Sequence, residues 1–407
     1  VSGSEGPGTA ASSLVGANPS GALRRVSLAV RSFLLPRADE GGAAVLVGVS
    51  GGADSLALAV TAIDQCVRLG LPVHTLTVDH SLREGSAQEA ARVAARLADL
   101  GALAGWRTVD VRGPGGPESS ARDARRAALR EQARSLLSRD RVRRVLVLLG
   151  HTMDDQAETV LLRLARGSGA GSLRAMSPEV PEEGGLTWCR PLLGVRRRDT
   201  REACRELGLE WVEDPGNAPD GPWRAADGTA LRRSAVRADA LPALARALGE
   251  DPVPALARSA RLLARDDDAL GAAADRLLRC ASVPDGPVGP VVPGEGDPRR
   301  RGGCGHREPG ASPASGPPPG PECPAPLLLD VEVLAGAEPA VLDRALHTAL
   351  VRAGARPGDL SATHVGAVSA LVTHWHGQGP LDLPGLLVGR RTRGVRAVLE
   401  LSAPMRA

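Results

Sequence analysis

Two short stretches hold most of the side chains able to do chemistry. The first, SGGADS, runs from Ser50 to Ser55 directly after an apolar run. Glycines in a strand-to-helix turn let backbone N–H groups converge on an anion, and a helix N-terminus favours the same charge. Ser50, Gly51, Gly52, Ala53, Asp54 and Ser55 are therefore read as a phosphate cradle. Asp54 is the natural magnesium partner, because a hard cation bridging phosphates takes carboxylate and water oxygens. It serves equally as an acid in the first turn of a helix. The second stretch, GHTMDDQAETVLLRLARGSG, covers 150–169. On a helix Asp154 and Glu158 stand four apart and Asp155 and Glu158 three apart, so they share a face. Such a face binds a metal, receives a cationic substrate, or is the solvated acidic start of a helix. His151 fits a ligand, an acid–base group or a turn residue equally well.

Spacing and composition narrow the phosphate chemistry. Neither the dinucleotide pattern G-x-G-x-x-G nor the Walker turn G-K-[ST] occurs. All 50 basic residues of the 407 are arginine, which excludes enzymes needing a P-loop lysine or a lysine Schiff base. The formal charge is only +3, although arginines cluster at 138–144, 194–201, 230–237 and 389–396. Each cluster suits either a phosphate track or a solvated face. The six cysteines form no C-x-x-C pair, so neither a zinc site nor a thiol relay is indicated. No apolar run approaches the roughly 18–20 residues of a membrane helix. Residues 1–20 lack the order of a signal peptide, and a cytoplasmic protein is expected.

Elements must hold these stretches in place. Strands are expected at 43–49, 73–79, 105–111 and 144–150, with helices at 54–68, 86–100, 119–138 and 154–166. Val- and Leu-rich strands alternating with helices imply an α/β fold with a parallel, doubly wound sheet. Ligands in such sheets bind beyond the carboxyl ends of the strands, where both stretches fall. Residues 1–22 read as a flexible tail, 23–217 as a catalytic domain and 218–230 as a connector. A helical segment follows at 231–282, then a Pro/Gly-rich insert at 283–326 that cannot build a core and is expected to be disordered. Order is expected again at 327–407, returning at LLLDVEVLAG (327–336), with a helical stretch over 339–354 and short strands around an arginine patch at the end.

Ser50, Gly51, Gly52, Asp54 and Ser55 resemble the PP-loop of the ATP pyrophosphatase superfamily, whose members cleave ATP between the α and β phosphates. VSGGADS, VDHSLREGS, ESSARDARRAAL, GHTMDDQAETVLLRLARGSG, RPLLGVRRRDTREACRELGLEWVEDPGN and LRRSAVRADALPAL occur in the order found in tRNA(Ile)-lysidine synthetases. The resemblance covers residues 24–270, and 327–401 is similar to that family's following, mainly helical, tRNA-binding domain. Departures are Arg126 where an aromatic is usual, and Ser234 and Ala238 where Asn and His are expected.

The resemblance implies a two-step ligation on the tRNA(Ile) with anticodon CAU. O2 of the wobble cytidine attacks the α-phosphorus of ATP, releasing pyrophosphate. The ε-amine of free lysine then attacks carbon 2 and expels AMP, so that AUA is read instead of AUG. Asp54, Asp155 and Glu158 are the implied catalytic acids, with Asp54 on Mg2+. Asp155 and Glu158 would hold the lysine, with Asp154 as an alternate. Arg122 and Arg125 would grip a phosphate or the lysine carboxylate, and Arg163, Arg166, Arg233 and Arg237 the tRNA. A monomer or homodimer is expected. Rival readings are a tRNA thiolase, disfavoured by the missing cysteine pairs, and a non-catalytic ATP sensor, which would need the cradle but not the acids.

Overall fold

β1 (Ala43–Val49) is buried on both faces: Val45, Val47 and Val49 enter one core, Ala44 and Leu46 another. A computed structural model describes residues 9–81, 84–111, 117–139, 142–213, 221, 229, 231–283, 326–356 and 358–403. It divides into two compact units, the first ending at Arg265 and the second beginning at Asp266.

In the first unit β1 lies at the centre of a six-stranded sheet. Its companions are β2 (Val73–Asp79), β3 (Leu103–Thr108), β4 (Arg144–Leu149), β5 (Glu179–Glu182) and β6 (Leu186–Cys189), in the order β3-β2-β1-β4-β6-β5. All pairings are parallel except β5 with β6. Helices α1 (Ala10–Val15), α2 (Gly21–Ala38), α3 (Ala53–Leu69) and α8 (Arg197–Glu206) bury their apolar residues on one face of the sheet. Helix α5 (Pro117–Arg139) covers the other through Ala128, Leu129, Ala133 and Leu136. α4 (Ser86–Asp99) packs beside β2 and β3. The chain leaves β1 for β2 on one side and returns to β4 on the other, so a crevice opens between the carboxyl ends of β1 and β4. The glycine turn sits at one lip and α6 (Met153–Leu164) starts from the other.

Several expectations need correction. Residues 10–15 of the expected tail form α1, capped by the Thr9 hydroxyl, with Ala11 and Val15 buried. Small residues conceal that helix because a one-turn contact needs no long apolar stripe. β3 begins at Leu103 rather than 105; it is an edge strand with Leu103 and Trp106 exposed, so apolar alternation fixes its bounds poorly. The first unit also runs past 217. α7 (Ala170–Leu173), α9 (Arg232–Ala235), a π-turn at Val236–Ala240, α10 (Leu241–Leu248) and the start of α11 (Pro252–Ala281) belong to it. Leu241 and Val253 pack on Ala157 of α6 there. Most of 218–230, and 284–325, lie outside the described residues.

The second unit joins the expected helices to a four-stranded antiparallel sheet. β7 (Leu327–Asp330), β8 (Leu381–Leu383), β9 (Leu386–Arg393) and β10 (Arg396–Ser402) run in the order β7-β10-β9-β8. α12 (Val331–Ala335), α13 (Pro339–Arg352), α14 (Ala362–Thr373) and the end of α11 share one apolar core with it, including Leu346, Val368, Val388 and Leu399.

Candidate active site

Gly51 has a left-handed backbone, φ +81°, and its carbonyl accepts from Val212 N–H at 3.0 Å. An L side chain there is strained whatever the space. Gly52 has ordinary φ, and a Cβ on it would find only Ser50 Oγ at 3.7 Å and Val212 O at 3.8 Å. The protein itself does not require that glycine; an approaching ligand would. The Ser55 hydroxyl accepts from Ser50 N–H at 3.1 Å and donates to Gly52 O at 2.9 Å, closing the turn on itself. No side chain caps α3, so its first N–H groups face the crevice as an anion site. Gly150 completes the lip from β4: a Cβ there would lie 3.1 Å from backbone atoms of Asp54 and Ser55.

The acids do converge, but around a residue that was expected at most to track a phosphate. Arg197, at the start of α8, donates from Nη1 to Glu158 (2.9 Å), from Nη2 to Asp155 (2.6 Å) and from Nε to Asp54 (3.3 Å). Glu158 has no exposed surface, and Arg237 grips it from the other side at 2.8 and 3.2 Å. Arg233 donates to Thr159 Oγ1 at 3.2 Å and lies 3.9 Å from Glu158. Asp155 also accepts from the backbone N–H and hydroxyl of Thr152, the N-cap of α6. Asp154 is held apart: it accepts from Arg196 at 3.1 Å and from Arg197 N–H at 2.7 Å, and Arg196 also binds Asp251.

Electrostatics sort the groups. Burial alone would raise Asp155, but Arg197, His151 and the Thr152 N–H outweigh it and hold the carboxyl at about 2. Asp54 is raised, because burial outweighs Arg197 and the donating Thr200 hydroxyl. His151 is pushed down to about 3 by burial, against the pull of Asp155, and so is neutral at neutral pH. Burial and the charges of Arg122, Arg126 and Arg233 lower Arg125. Of the remaining arginines singled out from the sequence, Arg163 is spent on Ser172 O and Ala175 O, while Arg166 is exposed.

Among the described residues no group of three His, Cys, Asp or Glu side chains is set to hold a metal alone. A phosphate-bridging Mg2+ needs only one or two carboxylates. Asp54, at the mouth of the turn with a side chain 24% exposed, fits that demand once Arg197 yields an oxygen.

Sequence reasoning missed Arg196, Arg197 and Thr200, and with them Gly150 and Arg190. The run GVRRRDTR reads as a basic cluster and as part of the motif RPLLGVRRRDTREACRELGLEWVEDPGN, and neither reading sets Arg197 against the three acids.

The PP-loop domain family matches residues 26–239, and the TilS substrate binding domain family matches 329–395. The tRNA(Ile)-lysidine synthase of Salinispora tropica is 43% identical over 387 residues, 94% of this chain and 97% of that protein. That of Thermobifida fusca is 42% identical over 354 residues, 87% and 90% of the two chains. That of Streptomyces coelicolor is 41% identical over 351 residues, 86% and 83%. Among the described residues no helix is long and apolar enough to cross a membrane.

Proposed function

This chain belongs to the tRNA(Ile)-lysidine synthase family of ATP-using ligases, and from that premise we propose how its residues divide the work. The substrates are ATP, free lysine and the tRNA(Ile) with anticodon CAU. The turn Ser50–Ser55 and the open N-terminus of α3 hold the ATP phosphates while O2 of the wobble cytidine attacks the α-phosphorus. Mg2+ on Asp54 would neutralise charge building on the departing pyrophosphate. The lysine ε-amine then attacks carbon 2 of the adenylated base, and AMP leaves.

Asp155 and Glu158 hold the lysine as a cation. Asp155, kept at about 2, is a poor proton acceptor, so its part is to attract and orient the ammonium rather than to deprotonate it. The place of the ammonium is the one Arg197 fills here, and the two cations exchange. Asp154 orients Arg196 and the start of α8 instead of meeting lysine. Arg122 and Arg125 face a phosphate or carboxylate. Arg166, with Arg163 braced behind it, suits tRNA contact; Arg233 and Arg237 act on tRNA through their hold on Glu158 and Thr159.

The observation carrying this reading is the meeting of Asp54, Asp155 and Glu158 at one guanidinium beside the glycine turn. A thiolase or a sensor has no use for that convergence. The test is a product assay with ATP, Mg2+, radiolabelled lysine and the CAU tRNA. Lysine should enter the tRNA with one AMP and one pyrophosphate released, and Asp54→Asn should cut the rate by about 10²-fold or more. AMP formed without lysine incorporation would show the substrate assignment to be wrong.

A further inference from the structure

Two guanidiniums near the crevice, those of Arg190 and Arg125, meet no carboxylate among the described residues. Arg190 follows β6 directly and is 6% exposed. Its Nη1 donates to Ser177 O at 2.8 Å, while its Nε is buried without an acceptor among the described residues. Arg125, which like Arg190 bears on the His151 ring, makes no hydrogen bond or ion pair among the described residues. Arg126 lies over the ring of Trp188, 4.6 Å from its centroid, so an indole rather than a carboxylate faces it. Burial, Arg126 and Arg122 all lower Arg190, and the Nδ1 of His151 is buried without a partner.

Arg190 is tied to the same helix turn as the acids. Ser177 follows Met176, whose N–H and carbonyl both bond the Gln156 side-chain amide at 2.9 Å. Gln156 adjoins Asp155 on α6. A local tie to Ser177 would use one of five N–H groups and would be met as well by an uncharged donor. Burying an uncompensated cation is strongly unfavourable, so a chain that keeps one gains from it only when an anion arrives. Arg further suits a two-oxygen ligand, since its fork matches carboxylate and phosphate.

We propose that Arg190, with Arg125, forms an oxyanion-binding subsite that takes a carboxylate or phosphate group of the substrates. The sources are the α-carboxylate of lysine and a phosphate of ATP. Naming those sources rests on the lysidine-forming reading; the existence of the subsite does not.

The test uses the full chain and Arg190→Gln. Inorganic pyrophosphate and lysine are each titrated against thermal unfolding without tRNA, and KM is measured for ATP, lysine and cadaverine, which is lysine without its carboxylate. At least a tenfold rise in KM for lysine, with cadaverine unchanged, assigns the carboxylate. A comparable rise for ATP, with loss of the pyrophosphate-induced Tm shift, assigns the phosphate. KM values and Tm shifts all within twofold of the parent would overturn the proposal and leave Arg190 a local tie. Should Arg190→Gln fail to fold, Arg190→Lys, which keeps the charge but not the fork, and Arg125→Gln are read by the same criteria. If the parent makes no lysidine, the functional reading falls, and the pyrophosphate and lysine titrations still decide the subsite.

Discussion

Arg197 donates to Glu158, a carboxylate with no exposed surface, across 2.9 Å, from a helix that begins 39 residues later in the chain. The same guanidinium holds Asp155 and Asp54, so one cation bridges three acids, with Arg237 adding a second charge at Glu158. Removing a partner from a buried ion pair leaves the other uncompensated, at a cost of about 3–5 kcal/mol. Arg197→Met should therefore lower unfolding free energy in urea by that order and shift the midpoint without changing the m-value. Arg197→Lys, with one point charge for three acids, should fall between. An Arg197→Met protein as stable as the parent would mean the acids repack on Arg233 and Arg237 alone.

Acid should weaken the fold through two groups of like sign. His151 is held at about 3 against an ordinary 6.5, so as pH falls through that window the unfolded chain takes up a proton the folded one refuses. Asp155, at about 2, supplies stability that is complete above the ordinary carboxylate value and is lost as pH falls towards 2. Asp54, raised by burial, works in the opposite direction. Stability measured by urea unfolding should thus fall from pH 6 to 4 with a slope approaching 1.4 kcal/mol per pH unit, the limit for about one proton. His151→Asn should flatten that limb and keep the loss below pH 4; an unchanged slope in the variant would place the proton elsewhere.

Much of this site can be read along the chain, and the exceptions share a cause. The turn Ser50–Ser55 and the acids of α6 are local patterns: glycines before a helix, carboxylates at three- and four-residue spacing. Their counter-ions are not. Arg190 follows a four-residue strand and Arg197 opens a helix of mostly polar composition, so neither stands out as an apolar run, and the pairing of β4 with β6 brings that part of the chain to the crevice. β6 itself, four residues long and joined to an edge strand carrying Pro181, offers too short an apolar run to stand out. The expected boundary near 217 differs for a similar reason, because what binds 231–265 to the first unit is packing on α6, residues far away in sequence.

Gly150 gives a steric test of the crevice. A methyl group there would sit 3.1 Å from the Asp54 carbonyl and the Ser55 nitrogen, and backbone atoms cannot swing aside as a side chain can. Gly150→Ala should push the end of β4 from the first turn of α3. The expected loss is about 1–3 kcal/mol of stability, as for other overpacked contacts. The KM for ATP should rise more than the KM for lysine, since the displaced turn is the phosphate cradle. Equal rises in both would mean that the whole crevice, not the turn, has moved.

The segment between Val283 and Pro326 can be tested by removal, because its two ends already meet. Val283 N–H donates to Leu328 O at 3.0 Å, and Ser282 bridges Leu329 in antiparallel fashion. A short Gly-containing turn can therefore join residue 283 to residue 326 without moving β7 or the end of α11. The segment is dense in Pro and Gly, a composition unable to bury a core, and the second unit's core among the described residues is built without it. Closing a shorter loop also costs less entropy. Replacing 284–325 by such a turn should leave Tm equal to or slightly above that of the parent, and kcat and the KM for ATP and lysine within about twofold. A selective rise in the KM for tRNA, with Tm retained, would instead make the segment an RNA-contacting arm, and a fall in Tm would mean that it covers part of the second unit's core.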